Sequence, residues 1–309
     1  MLQGGKVRGM AHVSIVLASQ SPARRSTLQA AGIWPQVIVS GVDEDQALAQ
    51  AQARFGSLDV ADAALVLAKA KAEAVAQLIE NDGLDGDSAQ SDSAQSDSAE
   101  GDSPDTGEKD IEGDIEGQDG LAEASGSTAQ VDLDNCLVVG CDSLLEFPAP
   151  GPASAGREGA GNIGRAGSPE NAGESQGQAM DRAMGKPATA QIAIDRWKAM
   201  RGKTGILHTG HWIIDLRDTD QGGTGATLGA TSSTTVHFAM IDDAEIEAYV
   251  ATGEPLQVAG GFTVDGLGGP YVDGIEGDYH SVVGISLPLL RQLCEQLDIP
   301  FSALRNSAH

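Results

Sequence analysis

Aromatic side chains make up only 4% of this 309-residue chain, so its core must rest on Val, Ile, Leu and Ala. Cysteine is almost as scarce. Cys136, Cys141 and Cys294 show no CxxC spacing, which argues against a disulfide framework or a zinc site and fits a reducing compartment. Basic residues are few: 19 Lys and Arg stand against 45 Asp and Glu, for a formal net charge of −26. A surface of that sign repels a phosphate backbone, so nucleic acid is not an expected partner, although a small basic pocket remains compatible with the total. No apolar run approaches the roughly 20 residues that span a bilayer. Val13–Ala18 is too short for that and reads as a strand, and no apolar stretch precedes His12. The expected setting is the cytoplasm, with no membrane partner.

Glycine, by contrast, is abundant at 40 residues, and two stretches are of low complexity. From Glu80 to Gln130, repeats of the DSAQS and DIEG kind offer little to bury, and this acidic insertion is expected to be disordered. From Pro148 to Met180, Gly, Ala, Pro and Ser dominate, as in a flexible loop. Without them about 225 residues of ordinary composition remain, a comfortable size for one α/β domain spanning 1–309 with two inserted surface loops. The remaining segments alternate. Ser14–Ala18, Gln36–Ser40, Cys136–Gly140, His211–Leu216 and Thr234–Met240 read as strands. Pro22–Ala31, Asp59–Ile79, Ala188–Met200, a segment capped by Asp242, and Ser286–Leu297 read as helices.

Five segments carry candidate chemistry. Ser19-Gln20-Ser21-Pro22-Ala23-Arg24-Arg25 follows a buried strand and opens a helix, bringing hydroxyls, free N–H groups and guanidiniums to one anion site. Read alone, it is equally a capped helix with two solvated arginines. Val138-Val139-Gly140-Cys141-Asp142-Ser143 reads as an apolar strand ending in a carboxylate that can orient a water or hold a divalent metal, or merely start a turn. Gly185-Lys186-Pro187 pairs a close-approach glycine with a mobile positive charge, without the spacing of a Walker A loop. Glu44, in an acidic cluster, and Lys69 and Lys71, on a helix, suit a metal and a phosphate, or a solvated loop and an exposed helix face. The glycines between Ala259 and Pro270 suggest backbone passing close to a ligand, or a chain of turns. The six histidines form no HxH or HExxH set and read as structural or exposed.

Taken in order, LASQSPARR, VVGCDS, GKP, AGGFTVDGLGG and IEGDYHSVVGISLPLL resemble the Maf family of nucleotide pyrophosphatases. The resemblance implies a two-lobed α/β fold similar to inosine triphosphatases, with a mixed sheet, flanking helices and an active cleft between the lobes. It also implies a divalent cation, Mg²⁺ or Mn²⁺, and hydrolysis of a nucleoside triphosphate between its α- and β-phosphates. By the same resemblance Asp142 is the general base and a metal ligand, with Glu44 as a further metal ligand. Arg24, Lys71 and Lys186 neutralise phosphate charge beside Ser21. The branch of the family that cleaves dTTP and UTP resembles SPRR, with Thr after the aspartate and Gln in the glycine-rich tail. The 7-methyl-GTP branch resembles SPWRR, with Gln and Glu at the latter two places. This chain has Ala23, Ser143 and Asp265 there, matching neither branch, and these three positions are expected to set base preference.

The insertion before Lys186 reads as tolerated padding rather than a lid. The partner implied is the nucleoside triphosphate, with a homodimer left open. The acidic tract and the family's association with septum formation also permit a second function class, a non-catalytic regulator that binds a nucleotide or a cell-division partner.

Overall fold

The computed structural model describes residues 12–86, 133, 135–147 and 183–306. The expectations for the acidic tract beyond Gly86 and for Pro148–Met180 lie outside those residues. Seven strands form one open, mixed sheet: β1 (Ser14–Ala18), β2 (Gln36–Val37), β3 (Cys136–Glu146), β4 (Ala183–Met184), β5 (Thr204–Asp215), β6 (Thr227–Phe238) and β7 (Val272–Glu276). Their order is β2-β1-β3-β5-β6-β7, with β4 added to β3. β1 runs parallel to β2 and to β3, and every other pairing is antiparallel.

β3 is the hinge of this arrangement. Its first half, Cys136 to Gly140, pairs with β1, and Ala18 opposite Gly140 is the last residue of β1. β3 then continues beyond β1 to Glu146, held by β5 on the other side. The apolar strand therefore does not end at the carboxylate, as the sequence suggested. Asp142 lies within it, just past the point where the parallel part of the sheet stops. Successive residues of a strand face opposite ways, so Asp142 and Ser143 look to different sides.

Helices cover both faces. On one lies α3 (Val60–Gly86), which runs past Glu80, the residue where the acidic insertion was expected to begin. Its inner face is largely alanine: Ala63, Ala64, Ala68, Ala72 and Ala76 are all buried, beside Leu67, Val75 and Ile79. Alanine favours the helix and keeps its inner surface thin. The sheet answers with glycine: a Cβ on Gly140 would fall 2.1 Å from the carbonyl oxygen of Ala68, and one on Gly210 2.3 Å from that of Ala64. α1 (Pro22–Ala30) and α7 (Leu287–Gln296) cover the other face through Leu28, Leu290 and Leu293, packed on Ile15, Leu17, Leu137 and Val139. At the far end Trp197 of α4 (Ala190–Met200) and Tyr249 of α5 (Asp243–Ala251) meet Phe238 and Phe262 in a separate cluster. Five of the eleven aromatics thus meet edge-to-face in one nucleus.

Four elements escaped the sequence reading: the short strands β4 and β7, and two helices. α2 (Glu44–Phe55) buries only Ala51 and so shows little apolar periodicity. α6 (Tyr279–Val283) is a single short turn.

The contact between sheet glycine and helix alanine can be tested. Gly140→Ala forces α3 off the sheet and should lower unfolding stability by about 1–3 kcal/mol, as overpacking does. Thermal denaturation checks this; an unchanged midpoint would mean that α3 is not seated as described.

Candidate active site

The C-terminal end of β1 opens a gap beside β3, and side chains from both faces of the sheet converge there. From α3, Lys71 places its ammonium 2.7 Å from Glu44 Oε1 and 2.5 Å from Asp142 Oδ1. The side chains of Lys71 and Asp142 are each only 12% exposed, whereas that of Glu44 is 52% exposed. The acidic cluster around Glu44 is solvated, as the plainer reading expected, but it opens a helix rather than lying in a loop. Asp43 caps α2 by accepting from the Gln46 N–H at 2.9 Å, and Glu44 and Asp45 occupy the first turn, where the helix dipole favours negative charge. Of the three, Glu44 is the one that meets Lys71.

From the opposite face comes Arg24. Of the two neighbouring arginines Arg25 is exposed, while Arg24 is buried. Its Nε donates to the Gly284 carbonyl at 2.8 Å, Nη1 to Ser19 Oγ at 2.9 Å and Nη2 to Ser143 Oγ at 3.2 Å. Ser143 Oγ lies 3.0 Å from Thr209 Oγ1, which donates to the Ser281 carbonyl at 2.9 Å. With Thr209 committed as donor, the Ser143 hydroxyl donates to it and accepts from Arg24, so one directional chain of hydrogen bonds fixes the guanidinium. A guanidinium carries five N–H donors, which leaves donors for a phosphate. Ser21 is the N-cap of α1, its Oγ accepting from the Arg24 N–H at 3.5 Å.

The surroundings tune the acid groups. Burial raises the Asp142 carboxyl above the usual carboxylate range; Lys71 and Arg24 pull it back, and Glu44 adds to the rise. The result is a carboxylate more basic than a surface aspartate. Burial likewise lifts Cys141 to about 11 and Cys294 to about 12, so neither thiol is a ready nucleophile.

Of the remaining sequence-predicted residues, Ser143 touches this cluster, whereas Lys186, Ala23 and Asp265 are placed elsewhere. Lys186 is exposed in the turn after β4, and the neighbouring Gly185 packs beside Leu144 of β3. Ala23 and Asp265 both line an open groove of about 340 Å³ on the outer side of α1, together with Thr27, Tyr279, His280 and Val283. None of Asp142, Lys71 and Arg24 borders it. Ser143, expected with Ala23 and Asp265, is instead enclosed beneath Arg24. Among the described residues no group of three His, Cys, Asp or Glu side chains could hold a metal, so any cation held by this cluster must take its remaining ligands from substrate and water.

Sequence reasoning missed Ser19, Thr209 and the carbonyls of Gly284 and Ser281. Ser19 opened a motif already singled out. Ser281 and Gly284 fall within the IEGDYHSVVGISLPLL motif, read there only as part of the family pattern, whereas Thr209 carries no local signal. Of the histidines, His208 bridges Ser233 Oγ at 2.8 Å and Glu146 at 3.0 Å. His211 lies in the interior, its Nε2 accepting from the Ser286 N–H at 2.7 Å and its Nδ1 facing the Thr209 carbonyl at 3.0 Å, which assigns the proton to Nδ1.

These environments have measurable consequences. In metal-free protein, the Asp142 carboxyl should titrate above the ordinary aspartate value, and Lys71→Met should push it higher still by removing the largest lowering influence; carboxyl ¹³C shifts against pH would reveal a downward move if the assignment were wrong. Burial depresses His211 to about 4. Above pH 6.5 it is neutral folded or unfolded. Between 6.5 and about 4 only the unfolded chain takes up the proton, so stability falls as pH falls, by about 3 kcal/mol across that window. In His211→Gln, which keeps an acceptor for Ser286, denaturant unfolding should show a flatter pH dependence over the same interval.

Comparison with known proteins gives the family. The model of the family "Maf-like protein" matches residues 14–297. A nucleoside triphosphate pyrophosphatase of Salinispora tropica is 38% identical over 300 residues, covering 96% of this chain and 89% of its own. One of Leifsonia xyli subsp. xyli is 36% identical over 295 residues, covering 95% and 97%. A third, of Streptomyces coelicolor, is 36% identical over 283 residues, covering 92% and 90%. A basic and acidic cluster at the open end of β1, within a mixed sheet matched almost from end to end, leads to one conclusion: this chain belongs to the Maf family.

Proposed function

We propose that this protein hydrolyses nucleoside triphosphates to the monophosphate and pyrophosphate, removing non-canonical or excess nucleotides. Membership of the Maf family and the shared name of its relatives support the activity. The observation that carries the chemistry is the Lys71 ammonium between Glu44 and Asp142, beside the buried Arg24.

Asp142 takes the proton from the water that attacks the α-phosphorus, a role suited to a carboxylate made more basic by burial. Arg24 and Lys71 neutralise the charge that builds on the phosphates, and Lys186 approaches from the Gly185–Pro187 turn. Lys71 has two occupations, and they compete. When its ammonium turns from Asp142 to an incoming phosphate, Asp142 loses its strongest acidifying neighbour and becomes a better base as substrate arrives.

A divalent cation fits the same pair of carboxylates. Glu44 and Asp142 already reach one shared positive charge, and Mg²⁺ is commonly held by one or two carboxylates together with substrate phosphates and water. When bound, Mg²⁺ or Mn²⁺ supplies further neutralisation of phosphate charge. A regulator that only binds would have no use for a carboxylate held against its own desolvation. No helix among the described residues is long and apolar enough to cross a membrane.

A panel of natural and modified nucleoside triphosphates, assayed for pyrophosphate with Mg²⁺ or Mn²⁺, should identify at least one substrate. Asp142→Asn should lower kcat on it by about 10²–10⁴-fold while leaving the fold as stable as the parent, since a desolvated charge is removed. Silence across the panel, or full turnover by the variant, would overturn the reading.

A further inference from the structure

Lys186 stands in the shortest of the functional motifs, and its own side chain is exposed. What surrounds it is the backbone of its turn, gripped from three directions. The Gly185 carbonyl accepts from Arg196 Nη1 at 2.8 Å and from the Gly260 N–H at 3.2 Å. Pro187 is buried, and its ring lies where a side chain on Gly261 would point, 3.2 Å from that Cβ position. Gly260 and Gly261 both adopt left-handed conformations, with φ of 72° and 70°, which side-chain-bearing residues resist. A Cβ on Gly260 would meet Leu145 of β3 at 2.9 Å. The Gly261 carbonyl is in turn held by Trp197 Nε1 at 2.8 Å. The glycine-rich tail thus passes between the Lys186 turn and β3, and α4 fastens both from outside.

Arg196 is the charged member of this clamp. It is half-buried, it forms no ion pair with any described carboxylate, and burial lowers its pKa. A guanidinium withdrawn from water is costly to keep without a counter-ion. Its placement makes sense if the Gly185 carbonyl must be fixed and if positive charge is wanted there. A lysine is a mobile point charge on a long stem, and its usefulness at a phosphate depends on how well its starting point is defined.

We propose that Arg196 is a positioning residue for the phosphate site: through the Gly185 carbonyl it fixes the turn that presents Lys186 to the triphosphate. This rests on the reading of Lys186 as a phosphate ligand, and the test separates the two. Lys186→Met, Arg196→Met and the double variant of the full chain are assayed for kcat and KM on the best triphosphate of the panel, with Mg²⁺ present. Lys186→Met should lower kcat/KM about a hundredfold and Arg196→Met about tenfold, the latter mainly through KM. The double variant should be no worse than Lys186→Met within about twofold, because a residue that acts through another has nothing left to position. Arg196→Lys, which retains a donor for the same carbonyl, should recover most of the loss. If Arg196→Met unfolds the protein, Arg196→Lys and Arg196→Gln, each made with and without Lys186→Met, serve in the same cycle. A double variant as poor as the product of the singles, or an Arg196→Met enzyme with unchanged kcat/KM beside an impaired Lys186→Met, overturns the positioning role alone. A Lys186→Met enzyme with full activity overturns the phosphate role of Lys186 and the proposal with it.

Discussion

One ammonium group organises the site: that of Lys71, seated between Glu44 and Asp142. It can be there only because α3 lies against the sheet at backbone contact distance, and it lies so close only because Gly140 and Gly210 face an alanine surface. A substituent on either glycine, or a bulkier residue at Ala68, acts on the Asp142 environment without touching Asp142. Packing and electrostatics are therefore the same problem here. The helix that fills one layer of the core also tunes the proton affinity of Asp142.

The second cation is arranged on the opposite principle. Arg24 is held by a carbonyl and two hydroxyls, from Gly284, Ser19 and Ser143, and pairs with no acid among the described residues. Neutral ligands fix the guanidinium without cancelling its charge, and full charge is what a phosphate needs. Lys71, by contrast, has its charge compensated by two acids. The cluster thus contains one cation on neutral acceptors and one paired with two acids.

The strand–helix alternation and the chemistry-bearing motifs were legible in the sequence because each is local: a β-branched run, an alanine-rich helix, a hydroxyl-and-arginine helix start. The approach of Lys71 to Asp142 was not readable from spacing, since it depends on which face of α3 meets β3. The resemblance placed both residues in one site, and the structure brings them into contact. α2 stayed hidden because it buries a single alanine. Ser143 shows a different limit. Compared with family patterns it looked like a residue that reads the base, yet its hydroxyl is occupied by Arg24 and Thr209. Ala23 and Asp265, which do share a groove, remain candidates for base recognition.

The register of β3 has one more consequence. The acidic tract leads into the sheet at Cys136, and the glycine-rich tract follows it after Glu146, so both long insertions are joined to the two ends of the strand that carries Asp142. That strand is fixed residue by residue against β1 and β5. Lengthening or shortening either tract adds or removes chain at the ends of β3 and moves no pairing within it. Asp142 is thereby held by pairings that lie wholly between the two low-complexity parts of its own sequence.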